Sequence, residues 1–292
     1  DEVRLWATDP ARGDKVYQFD NNGTAEGPDH PIANVSWYDM VKWCNARSEK
    51  ESLQPVYYRE TNQTTVYRTG GISLLNEHAN WRANGWRLPT EAEWEKAARG
   101  GLVGGKYGTI TGGSSIAYGN VSGDGIDTTT PVGSYPANGY GLHDAYGNLR
   151  ESLWDRYQGN WYSQPEASFP NPRGPSSGSR CLRDQGFNQG GLWVYKQLFY
   201  RDNYMQRSES QKVADLGFRL ARNAPDAVAG GYPTLTSSPD ANGTAGQTFS
   251  YQILAGNSPA AYGATGLPAG LSVNAATGLI SGTVNASGDH NV

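Results

Sequence analysis

The sequence predicts an α+β protein: a loop-rich first unit with two short, well-capped helices, then a small all-β unit. Three observations predict it. Two segments place apolar residues at helical spacing directly behind residues suited to capping a helix. Glycine (38), tyrosine (18) and tryptophan (9) are abundant, which suits short strands joined by turns where glycine supplies positive φ. The composition then changes after a small, Pro/Gly-rich stretch at 224–231, because residues 232–292 contain no Trp, Lys or Arg. The predicted organisation is a domain at 1–223, a linker at 224–231 and a partial second domain at 232–292.

The first helix is expected behind Ser36, which can cap the free N–H groups of the turn that follows; Trp37, Met40, Val41 and Cys44 then recur at helical spacing. The second opens at Thr90, where Thr90 and Glu93 form a capping box. Gly100-Gly101 ends it. Little further helix is expected in this unit. In the second unit, Phe249–Ile253 and Leu279–Val284 alternate between Thr/Ser/Gly turns, as in an antiparallel sandwich. The stretch from Gly288 reads as a strand start, which predicts an open edge beside Val284.

A net charge of -4 and an apolar content of 37% argue against disorder, and no clustered basic face suggests nucleic acid. No apolar run approaches the ~18 residues of a membrane span. The chain does not open on a signal peptide, which leaves a mature or trimmed product open. Cys44 and Cys181 fit either a long-range disulfide or two buried thiols; a metal pair is the weaker reading, since zinc sites recruit four closely spaced ligands. The four histidines show no ligand spacing. Glu91, Glu93 and Glu95 suit a helix N-terminus better than acid/base chemistry.

Four stretches then carry a resemblance: His30–Trp37, Trp86–Gly101, Asn138–Asn148 and Leu216–Arg222. With them the first unit resembles the formylglycine-generating, or sulfatase-modifying factor, family, whose fold is C-type-lectin-like. Ala245–Ile253 and Gly266–Thr283 resemble an Ig-like repeat of bacterial surface proteins. The family's oxidases bind copper through two thiolates, a soft-ligand choice suited to Cu(I). Alignment on Arg180–Gly186 puts those positions at Gln189 and Val194, so the resemblance implies a chain without the redox centre, and no copper is expected. Some relatives pair a cysteine at the Cys44 position with one in the Gly-Phe-Arg tail, where this chain has Leu220.

The resemblance also implies calcium, as one or two structural ions held by hard oxygen ligands from short loops. One ligand set comprises Asp144 and Glu151 through carboxylates and Gly147 and Leu149 through carbonyls; the other comprises Asn120 and Asp124 through side chains and Val121 and Ile126 through carbonyls. Ordinary Asx turns are the alternative. The family's Trp-Glu-Trp reads Arg150-Glu151-Ser152 here.

Residues 186–205 replace the active-site region and are rich in recognition-type side chains, with Asn188, Trp193, Tyr195, Tyr200, Arg201 and Tyr204 as a candidate ligand face. The expected function is a non-catalytic, calcium-stabilised binding or structural module, secreted or at the cell surface, with an unidentified protein or glycan ligand. A modifying oxidase with a displaced site, and an assembly subunit joined through the Ig-like end, stay open as alternatives.

Overall fold

The computed structural model describes residues 2–104, 119–121, 126–188, 198, 206–224, 235, 237–238, 240–255 and 261–290. They fall into two compact units, Asp1–Arg222 and Asn223–Val292.

A short helix absent from the sequence expectations, α1 (Glu2–Ala7), opens the first unit. It is too short to reveal a period and is held by packing: Ala7 joins Tyr17 and Ala46 in a small core cluster. Helix α2 (Trp37–Lys50) follows Ser36, whose hydroxyl accepts the Asp39 N–H at 3.2 Å. Its Met40, Val41 and Cys44 are buried in the main core, as their spacing predicts. Helix α3 (Glu91–Arg99) has the predicted capping box, with Thr90 Oγ1 accepting from the Glu93 N–H at 3.3 Å and Glu93 accepting from the Thr90 N–H at 2.9 Å. Gly100 ends it in the left-handed region at φ 56°. A side chain there would strike Asn138 and the backbone of Gly139, so glycine serves both the turn and the close approach.

The sheet is small and mixed, in the order β3-β2-β1-β4. Strand β1 (Arg150–Arg156) runs antiparallel to β2 (Arg180–Arg183) with Glu151 opposite Arg183, and parallel to β4 (Leu216–Gly217). The two-residue β3 (Gln206–Arg207) pairs with the outer side of β2. Adjacent strand residues face opposite sides, and β1 is buried on both. Leu153 packs with Trp94, Ala98 and Cys181, whereas Trp154 packs with Trp37, Met40, Tyr57 and Leu88. Strand β1 is therefore the wall between two cores. Trp154 stacks on Tyr57 at 5.2 Å and meets Trp81 edge-on at 5.3 Å.

The second unit contains β5 (Thr248–Gln252), β6 (Leu271–Val273) and β7 (Leu279–Thr283), paired antiparallel in the order β5-β7-β6. The expected open edge beside Val284 is not found. Strand β7 lies in the centre, the Val284 N–H donates to Gln247 O at 3.2 Å, and its carbonyl accepts from the Gly246 N–H at 2.8 Å. Among the described residues no strand follows Val284. No described helix is long and apolar enough to cross a membrane.

Candidate functional site

The two predicted calcium loops meet. Residues 144–149 turn sharply, with Asp144, Gly147 and Asn148 all at positive φ. Gly147 has no room for a side chain, since a Cβ would come within 2.5 Å of the Asn120 carbonyl, and that carbonyl accepts the Asn148 N–H at 2.7 Å. Asn148 also exchanges hydrogen bonds with Thr130, and the Asn120 amide donates to Thr128 O at 2.8 Å. Of the predicted ligand residues, Asp144, Gly147, Leu149, Asn120 and Val121 share this packed region, and Glu151 follows on β1. Ile126 is half-buried. Asp124 lies outside the described residues, as do Trp193, Tyr195, Tyr200, Arg201 and Tyr204 of the candidate ligand face; Asn188 is exposed.

The donor groups test the fit of a hard cation. Asp144 Oδ2 accepts from the Gly133 N–H at 2.8 Å, but Asp144 Oδ1 is buried without a hydrogen-bond partner, and so is Asn120 Oδ1. Buried oxygens of this kind are costly unless something satisfies them. Both belong to the expected ligand sets, so the residues fit calcium at these atoms. Glu151 differs. Arg219 Nε and Nη2 reach its two oxygens at 2.7 and 2.6 Å, and Trp94 Nε1 donates to Oε2 at 2.5 Å. Arg219 Nη2 also donates to the Asp144 carbonyl at 2.9 Å. Among the described residues no three His, Cys, Asp or Glu side chains converge, so an ion here would rely on backbone carbonyls, as calcium readily does.

Three participants escaped the sequence analysis. Arg219 lies inside the Gly-Phe-Arg stretch, but its pairing with Glu151 spans 68 residues. Asp184 stands at φ 69°, and both its oxygens accept from the Gly147 N–H at 3.0 and 2.8 Å. Burial pushes its carboxyl well above the usual range, and the charge of Glu151 adds to that. Arg150, in place of an aromatic, forms a buried ion pair with Asp215 at 2.8 Å.

The helix carboxylates are structural. Glu93 is bidentate with Arg87, and Glu91 and Glu95 both meet Arg183. Asp155 accepts the Glu91 N–H at 2.7 Å; burial, with the Glu91 charge second, raises its carboxyl to about 8. The cysteines are both free and sit in different cores, Cys44 among the α2 residues and Cys181 beside Trp94. Burial pushes the Cys44 thiol far up, away from the thiolate form that copper binding needs. Gln189 and Val194 lie outside the described residues.

Two N-terminal-capped helices against a small mixed sheet, with long loops packed into one polar site, define a C-type-lectin-like α+β domain. The model of the "sulfatase-modifying factor enzyme 1-like domain" family matches residues 7–224, and the chain belongs to that family. An Ig-domain family model matches 232–292. The chaperone protein LppX of Paenibacillus barcinonensis is 35% identical over 70% of this chain and 74% of its own length. The formylglycine-generating enzyme of Mus musculus is 30% identical over 67% of this chain, which spans 47% of that enzyme. The solved structure of Treponema denticola variable protein 1 superposes with a TM-score of 0.55 at 27% identity, covering 70% of this chain and 76% of that one.

Proposed function

We propose that this chain is a non-catalytic binding or structural module of a secreted or cell-surface protein, stabilised by calcium. The carrying observation is the state of the thiols. The only two cysteines are buried in separate cores, and the burial of Cys44 opposes its ionisation. A copper centre of two thiolates requires paired, ionisable sulfur. The orphaned oxygens of Asp144 and Asn120 support the calcium part of the reading. When bound, calcium would supply a cross-link between the 119–121 and 144–149 loops. Residues 188–204, with Asn188, Trp193, Tyr195, Tyr200, Arg201 and Tyr204, are the proposed ligand face for a protein or glycan. The name of the chaperone relative is compatible with a binding role.

Oxygen consumption with a cysteine-containing sulfatase peptide, with and without Cu(I), tests the reading. No turnover is expected. Turnover that disappears in Cys44→Ser or Cys181→Ser would overturn it.

A further inference from the structure

The outer face of α3 forms one wall of a groove of about 610 Å³, lined also by Val103, Tyr140 and Tyr162. Tyr140 and Tyr162 are 55% and 47% exposed. Their backbones are pinned. The Asn138 amide donates to the Ala97 and Ala98 carbonyls at 2.8 and 3.1 Å, and its oxygen accepts the Tyr140 N–H at 2.9 Å, which ties the Tyr140 turn to the end of α3. Gly101, at φ 89°, leaves bare backbone beside the Tyr140 ring, where a Cβ would lie 3.4 Å away. Tyr162 sits on the single turn Trp161–Ser163, anchored by the buried Trp161. Both rings are thus exposed yet held on fixed supports, so that ordering them on a ligand costs little entropy.

The charges are uneven. Arg99 pairs with Glu95 at 2.6 Å, and the other Glu95 oxygen meets the buried Arg183. Lys96, next along α3, is exposed and has no ion-pair partner among the described residues. The groove therefore combines two aromatic faces, one cation without an ion-pair partner among the described residues, and a fixed carboxylate and guanidinium able to bond hydroxyl groups. It offers little to an extended peptide, which seeks a row of free backbone groups, because the carbonyls of Ala97 and Ala98 are held by Asn138 and that of Arg99 by the Leu102 N–H.

We infer that this groove binds an acidic saccharide of the uronate type. Sugar rings lie against Tyr140 and Tyr162, the carboxylate meets Lys96, and hydroxyls bond Glu95 and Arg99. Among the described residues the groove is lined by neither Asn188 nor any calcium-loop residue, so substitutions in it test its occupancy separately from the reading above.

Calorimetric titration of the full chain tests the assignment. The probes are a galacturonate tetrasaccharide, a hyaluronan hexasaccharide and a heparin tetrasaccharide, compared with maltotetraose and a hexaglutamate peptide. At least one acidic saccharide should bind about tenfold tighter than maltotetraose. Lys96→Gln should erase that preference. Tyr140→Ala and Tyr162→Ala should each weaken binding about tenfold, in line with loss of an aromatic contact, while the melting temperature stays unchanged. The assignment is overturned if no acidic saccharide binds at millimolar concentration, if binding survives all three substitutions, or if the peptide binds tighter than every saccharide.

Discussion

Asp144 carries one oxygen that bonds the Gly133 N–H and another that is buried with nothing to bond. A bound ion would satisfy that second oxygen and stabilise the folded state by mass action, by about 2.7 kcal/mol at a concentration a hundredfold above Kd. Chelation should therefore lower the melting temperature of the wild-type chain, and Asp144→Ala should remove the difference between calcium and EDTA. Equal melting with and without EDTA in the wild type would exclude calcium here. Asp155 gives a pH signature of the opposite kind to an ordinary ion-paired carboxylate. Its folded-state value of about 8 lies above the ordinary aspartate value of 3.8, so the native state holds a proton that the unfolded state releases. Its contribution is fully present below about pH 4 and is lost as pH rises through about 8. Asp155→Asn, which cannot ionise, should flatten the fall in stability between pH 5 and 8 in urea titrations; an unchanged slope would refute the assignment. Residue-level legibility was uneven for a physical reason. Ser36, Thr90 and Glu93 act within one helical turn, so spacing reveals them, whereas Arg219 and Asp184 meet their partners across 68 and 37 residues, and only the fold brings them together.

At the scale of elements, α3 depends on its first turn. Thr90 and Glu93 cap one another, Arg87 clamps Glu93, and Asp155 takes the Glu91 N–H. Thr90→Ala should cost about 1 kcal/mol, read as a lower urea midpoint with unchanged m. Thr90→Ser should restore most of it. A Thr90→Ala loss below a few tenths would mean that Arg87 and Asp155 alone fix the helix start. Helices α2 and α3 were legible because cap, period and stop signal agree. Helix α1 was not, since its six residues give no period and its support comes from Tyr17 and Ala46. In the second unit, the apolar runs marked β5 and β7 correctly, but not their order. Strand β7 lies in the middle because both β5 and β6 pair with it through backbone bonds, which side-chain patterning does not encode.

At the scale of the first unit, one strand faces two interiors. Leu153 and Trp154 are neighbours in sequence yet belong to different cores, so neither core has a boundary of its own on the β1 side. Leu153→Ala should cost about 3 kcal/mol as a buried large-to-small change. Because the strand is shared, the loss should lower the denaturant midpoint seen by the Trp37–Trp154 cluster as much as that seen by Trp94, with coincident transitions in near-ultraviolet dichroism and fluorescence. Separated transitions would show that the cores unfold apart. If they coincide, the same strand limits how the sequence can vary. A substitution that would be tolerated on a surface-backed sheet must here suit two neighbourhoods at once, so freedom to diversify is pushed outward, into the long loops that β1 anchors but does not itself shape.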